Sequence, residues 1–253
     1  MTKAALLAYP IGMAGRIEDG YRRKLRTLLA RVRPRRLEFG VELCLRRAGE
    51  LAEREGIAQA DALARVYEFT RWRVQRRLQV TGACAVPAPA TAADPAPRFL
   101  CDGSVGGLAR WLWAAGYEAD WRAGAAGEAL WPEAAARGAV LVTTDAELLA
   151  RHAGAPAVAW VPSGMAPSAQ AGVVLRDLEL MPRTPRCMAC GGALAKVAKD
   201  DVRERIPPRT ALWKDEYFAC AACGRLFWEG THWRRIQEQL GRQRPAERDP
   251  SGP

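Results

Sequence analysis

A chain of 253 residues, 49% hydrophobic and 26% charged, has the composition of an ordinary globular protein with room for one large domain or two to three small ones. No apolar run approaches the roughly 20 residues that span a membrane, and Pro10 interrupts the faintly leader-like opening MTKAALLAYPIGMAG, so neither a membrane protein nor a secreted one is expected. The net charge of +10 is unevenly spread: residues 1–83 carry 18 Lys/Arg against 9 Asp/Glu, and the remainder 20 against 19.

The first 80 residues have helical periodicity. In RIEDGYRRKLRTLLARV, apolar residues at 17, 21, 25, 28, 29 and 32 line one helical face, and Pro34 ends it. A second helix takes apolar positions 37, 41, 45, 48 and 51 and stops at Gly56. A third is expected to start at Asp61 as its cap and to repeat at Leu63, Val66, Tyr67, Thr70, Val74 and Leu78. Arg22, Arg23, Arg26, Arg73, Arg76 and Arg77 should face outward, either as solvated helix faces or as a polyanion-binding surface that releases counterions from a phosphate backbone. This basic helical region spans 1–83.

Residues 84–97, CAVPAPATAADPAP, read as an extended linker of prolines and small residues. Beyond it, short apolar runs at 98–101, 117–121, 139–143 and 157–161 alternate with helical segments near 104–115, 127–137 and 145–152. That alternation predicts an α/β domain over 98–182, a parallel sheet flanked by helices. A small module follows over 183–240, and the charged, proline-rich tail 241–253 is expected to be disordered.

Four of the seven cysteines form two Cys-x-x-Cys pairs, Cys187/Cys190 and Cys220/Cys223, with 29 residues between the pairs. Each pair can aim two thiolates at one ion, and two pairs make the closed tetrahedral site of a structural zinc; the competing reading is a redox dithiol. Gly191 and Gly224 follow the second cysteine of each pair, where a tight turn needs glycine. Metal-bound cysteines imply a reducing, cytoplasmic setting. Around them Arg203, Arg205, Lys214, Arg225, Arg234 and Arg235 interleave with Trp213, Tyr217, Trp228 and Trp233, a combination suited to single-stranded RNA or, for the aromatics, to packing around a small core. Cys44 and Cys101 lie in apolar runs and read as core residues.

In open parallel sheets the site lies beyond the carboxyl ends of the strands. Asp102 follows RFLC, Asp145 follows AVLVTT, and Glu128 opens the helix between them. These acids either cap helices or share a hard divalent ion, because gathering carboxylates without a cation costs several kcal/mol. The loop CDGSVGGLARWL fits neither the G-x-G-x-x-G pattern nor the G-K-[ST] ending of a phosphate loop.

The runs RFLCDGSVGGLARWLWAAGYEADW and GEALWPEAAARGAVLVTTDAELL, then the cysteine module ending in FWEGTHWRRI, resemble the Mut7-C RNase family over about residues 98–237. The resemblance implies a PIN-like nuclease domain followed by a zinc ribbon. It implies Asp102, Glu128 and Asp145 as the acids that bind Mg²⁺ or Mn²⁺ for RNA hydrolysis, and Cys187, Cys190, Cys220 and Cys223 as ligands of structural Zn²⁺. Arg110 matches a family cation, and His232 and Trp233 match a Gly-[Ser/Thr]-His-Trp run, which implies contact with substrate. Three basic positions of the family are occupied here by Gly107, Trp113 and Thr144. The departures leave a second reading, a non-catalytic RNA-binding or adaptor protein on a degenerate nuclease domain.

Overall fold

The computed structural model describes residues 11–80, 96–152 and 158–242; most of the expected linker, Cys84 and the tail beyond Arg242 lie outside the described residues. The described residues form two compact units that do not follow chain order.

One unit holds α1 (Ile11–Ala30), α2 (Leu37–Glu55) and α3 (Gln59–Val80), with α6 (Ala146–Arg151). Their cores follow the sequence periodicity: Ile17, Tyr21, Leu25 and Leu28 of α1 are buried, with Val41, Leu45 and Ala48 of α2 and Leu63, Val74 and Leu78 of α3. Gly56 ends α2 in the left-handed conformation, φ +62°. Helix α3 starts two residues before Asp61, so that carboxylate sits in the first turn and favours the positive helix end instead of capping it. The α1 arginines are engaged: Arg22 pairs with Glu18 and Glu42, Arg26 with Glu38, and Arg23 with Glu147 of α6 at 3.2 Å. On α3, Arg73 and Arg76 are exposed and lie over the rings of Phe69 and Trp72, at 5.9 and 5.5 Å.

The other unit contains a four-stranded parallel sheet, β1 (Phe99–Cys101), β2 (Ala119–Trp121), β3 (Val140–Thr143) and β4 (Val158–Trp160), in the order β2-β1-β3-β4. Register places Cys101 beside Val142 on one face and Leu100 beside Leu141 on the other. All four side chains are fully buried, which is why these strands read as continuous apolar runs and not as alternating ones. Helix α4 (Gly106–Ala114) packs on β1 and β2, and α5 (Gly127–Arg137) on β1 and β3. Helix α7 (Pro167–Asp177) packs against α4. The sequence pattern gave no sign of α7, because Ser168 and every residue from Gln170 to Leu175 are buried and leave no polar face to mark a helical period.

The cysteine module is a three-stranded antiparallel sheet, β5 (Leu194–Val197), β6 (Tyr217–Cys220) and β7 (Leu226–Phe227), with a short α8 (Pro208–Ala211). Val202, Ile206 and Tyr217 form its small core, against which Trp228 packs. Its last helix, α9 (Thr231–Arg242), returns to the parallel-sheet layer: Ile236 and Leu240, one turn apart, enter the core shared by α4 and α7. Gln239 Nε2 donates to Ser168 Oγ at 2.9 Å. No helix among the described residues is long and apolar enough to cross a membrane.

Candidate metal centres and an arginine-lined groove

The strand order turns back at β1 and β3, so the crevice expected of an open parallel sheet lies at the carboxyl ends of those two strands. Asp102 directly follows β1. Its backbone N–H donates to Val142 O at 3.1 Å, tying it to the end of β3. Its Oδ1 accepts from Ser104 N (2.9 Å) and Ser104 Oγ (2.5 Å), capping the 3-10 turn Gly103–Val105 that leads into α4. The residue is only 4% exposed and forms no ion pair among the described residues. A buried carboxylate without a cation is costly, and a hard cation bound there would relieve that cost.

Asp145 lies two residues beyond β3, and its Oδ1 accepts from Glu147 N at 2.8 Å at the start of α6. Glu128 occupies the first turn of α5 and is exposed. Both aspartates therefore cap helical turns through one oxygen. Asp102 and Glu128 belong to the sheet unit, and Asp145 to the helical one. The neighbouring acids are committed elsewhere: Glu118 to Arg98 and Arg186, Asp120 to Arg137, and Glu147 to Arg23 and Arg151. Among the described residues, the one group of three or more His, Cys, Asp or Glu ligand atoms all within 4.8 Å is the cysteine quartet.

The glycines of CDGSVGG have packing roles. None of Gly103, Gly106 and Gly107 adopts a positive φ, so the sharp turn into α4 does not depend on glycine torsions. A Cβ at Gly103 would stand 2.9 Å from Gly124 N, one at Gly106 2.5 Å from the Trp121 ring, and one at Gly107 2.7 Å from Pro167 Cγ. Gly107, where the resemblance implies a basic residue, is thus the point at which α4 approaches the start of α7. Trp113, in the second missing-cation position, donates from Nε1 to Ala119 O at 2.9 Å, and its carbonyl accepts from Arg186 N at 2.8 Å.

The cysteine quartet fits a tetrahedral ion. Cys187 Sγ and Cys223 Sγ are 3.7 Å apart, and Cys190 Sγ and Cys220 Sγ 3.5 Å. A tetrahedron with metal–sulfur bonds of ~2.3 Å has edges of about 3.8 Å, whereas a disulfide holds its sulfurs at ~2.05 Å; all four are free thiols. Gly191 and Gly224 have φ of +75° and +68°, as the knuckle turns require. A Cβ at Gly192 would lie 2.7 Å from Cys220 Sγ, so only glycine lets the chain pass this close to the sulfurs. The bare thiols have unequal acidity. Burial pushes Cys187 up to about 12, while the backbone N–H of Cys223, helped by that of Ala222 against the cost of burial, pulls Cys220 down to about 6.

Between α4 and the cysteine module lies a groove of about 500 Å³. Its lining holds three guanidinium groups, Arg110, Arg186 and Arg225, and no carboxylate, alongside Phe227, Trp228 and Trp233. Two of the residues matched to substrate contact, Arg110 and Trp233, therefore share one groove; the side chain of His232, on α9, lies outside the described residues. Trp233 stacks on Phe218 with ring centroids 6.2 Å apart. Arg186 and Gln237 escaped the sequence reading, because only the docking of α9 and the knuckle against α4 brings them together.

No curated protein and no solved structure matches the chain. The model of one family does, over residues 97–240, more than half of the 253. That stretch includes the parallel sheet, the acids at its strand ends and the cysteine quartet, and on it the chain belongs to the Mut7-C RNAse domain family.

Proposed function

We propose that the chain is a PIN-like, metal-dependent ribonuclease that hydrolyses RNA phosphodiesters, with Mg²⁺ or Mn²⁺ at Asp102, Glu128 and Asp145 and a structural Zn²⁺ at the cysteine quartet. One observation carries the reading: in a chain of this family, Asp102 is a buried carboxylate without a cationic partner among the described residues, tied to the end of β3 at the strand-order reversal. A divalent ion supplies water activation and charge neutralisation for in-line phosphoryl displacement. Such hard ions keep several waters and take one or two carboxylates directly, so the acids need not crowd as the thiolates do. Asp102 holds its carboxylate fixed through the two Ser104 hydrogen bonds. Arg110, His232 and Trp233 bind the RNA strand, which is single-stranded on this reading because stacking needs unpaired bases. A Zn²⁺ held by the four cysteines would have no open position for water and would act only on folding.

The second reading, an RNA-binding protein without catalysis, draws on positions 107 and 113. Both are built into packing by Pro167 and Ala119 and offer no cation to a phosphate. Incubation with labelled single-stranded RNA and Mn²⁺, beside Asp145→Asn, separates the two. Cleavage that disappears in the variant supports the nuclease; intact RNA that still shifts on a gel supports the binder.

A further inference from the structure

We propose that the groove between α4 and the cysteine module is a binding site for one unpaired nucleotide of the RNA strand, separate from the carboxylates. The inference rests on the RNA-directed reading above and adds where the strand is gripped. Three features of the lining carry it. The charge is of one sign, since Arg110, Arg186 and Arg225 line the groove with no acid among them. Arg110 and Arg225 make no side-chain hydrogen bond or ion pair among the described residues and are exposed, so both are available to a phosphate. Arg186 differs: its Nε donates to Gly191 O at 2.7 Å and its Nη2 pairs with Glu118 at 3.2 Å. It holds the groove wall in place while adding to its potential.

The second feature is the pair of indoles. Trp228 and Trp233 line the groove and are themselves held, Trp228 against Tyr217 at 6.4 Å and Trp233 against Phe218 at 6.2 Å. Aromatic rings fixed in this way present a stacking surface without losing freedom on binding, and stacking tolerates any base. The third is size and polarity. The volume of about 500 Å³ suits a nucleotide, a ligand of drug-like dimensions. Gln237, also in the lining, offers an amide with both donor and acceptor to a base edge. A double helix hides its base faces in the stack, so this lining selects an unpaired base.

The position relative to the acids follows from the helix. Asp102 precedes α4, and at 1.5 Å per residue Arg110 stands about 6 Å and Ala114 about 12 Å along the axis from Gly106. The groove therefore grips the strand one to two helical turns along α4 from its first residue, which follows Asp102 after the 3-10 turn Gly103–Val105.

The test is fluorescence anisotropy of a labelled, unstructured RNA oligonucleotide on the zinc-loaded full chain. Wild type is compared with Arg110→Ala/Arg225→Ala, with Arg225→Glu, and with Arg209→Ala as a control on exposed α8. A second measurement places 4-thiouridine in the oligonucleotide and maps the photo-crosslinked peptide by mass spectrometry. The expected result is at least tenfold weaker binding for the double variant and a salt-dependence slope lower by about 1.4, for two lost single-strand phosphate contacts. Arg209→Ala should leave binding unchanged, and crosslinks should fall within the groove's lining segments, 110–114, 185–189 and 225–237. Uridine monophosphate in place of the oligonucleotide should compete only weakly, since a free nucleotide lacks the rest of the strand; equal affinity would make the groove a mononucleotide site and overturn the assignment to RNA. Variants that bind like wild type, or crosslinks mapped elsewhere, overturn the groove. If RNA is bound through the groove but never cleaved, the groove stands and the nuclease reading falls. If RNA is cleaved and the groove variants bind normally, the nuclease stands and the groove falls. A wild type that binds no RNA overturns both.

Discussion

Gly191, in the turn of the first cysteine knuckle, packs directly against the indole of Trp113 on α4: a Cβ there would stand 2.6 Å from Nε1. The glycine also sits at φ +75°. Two constraints therefore coincide at one position, a left-handed backbone and a contact that docks the cysteine module onto the parallel-sheet layer. Gly191→Ala should cost about 1 kcal/mol for the conformation and ~1–3 kcal/mol for the overlap. Trp113→Leu should remove only the second cost, so the double variant recovers part of the loss caused by the alanine. Thermal unfolding of the four proteins in a double-mutant cycle checks this, and strict additivity would contradict it.

Gly107 stands where the family resemblance implies a basic residue, and its surroundings leave no room for one. Pro167 opens α7, and its ring occupies the space a side chain at 107 would need, with Cγ at 2.7 Å and Cβ at 3.1 Å. Restoring the cation alone, Gly107→Lys, should lower stability by ~1–3 kcal/mol through overpacking between α4 and α7. Adding Pro167→Ala opens the space and should return most of that stability. If the absent cation limits catalysis, the double variant also cleaves RNA faster than wild type. Thermal melts and a cleavage assay run on the same preparations read the two effects separately.

Removing the quartet's metal should unfold its module and spare the parallel sheet's buried thiol. Structural zinc contributes on the order of 10 kcal/mol to a small module, and this one has a core of three buried residues. With zinc bound, Cys187, Cys190, Cys220 and Cys223 should resist alkylation; after chelation all four should react. Cys101 is fully buried and burial pushes its thiol up to about 12, so it stays unlabelled in both states and reacts only on global unfolding. The pH dependence follows from the protons that leave on binding. In the unfolded, metal-free module the thiols are ordinary cysteines, mostly protonated at neutral pH, and they release their protons when the metal takes them as thiolates. Zinc affinity should therefore rise steadily with pH across the neutral range and weaken as the pH falls. Competition with a chromophoric chelator across pH 5.5–8.5 measures this; a flat profile would sink it.

The sheet was legible in the sequence because both of its faces are buried, which makes Phe99–Cys101 and Val140–Thr143 stand out as short apolar runs. The cysteine quartet was legible because metal geometry imposes local spacing. Helix α7 was not, since a helix buried nearly all round carries no period. The roles of Gly106 and Gly107 were also hidden: Trp121 and Pro167, the residues that forbid a Cβ there, lie 15 and 60 positions further along the chain. The groove was half visible. Its Arg110 and Trp233 were matched by family pattern, but their meeting across 123 residues depends on Ile236 and Leu240 carrying α9 into the α4–α7 core.

The basic surface of α3 lies outside the residues matched by the family, and its contribution to RNA binding can be tested without truncation. Deleting residues 1–83 would also strip α6 of its contact with α1 and of the Arg23–Glu147 pair, and so would disturb the chain next to Asp145. Charge removal is cleaner. Arg73 and Arg76 are exposed and rest on Phe69 and Trp72 without an acid partner among the described residues. Guanidiniums on aromatic faces keep their hydrogen-bond donors directed outward, toward a phosphate. Arg73→Gln/Arg76→Gln should leave thermal stability nearly unchanged, since each cation–π contact at an exposed site is worth only ~0.5–1 kcal/mol. RNA affinity should fall, and the slope of log K against log salt should drop by about 1.4 for two lost single-strand contacts. An unchanged slope would exclude this face of α3 from the RNA path.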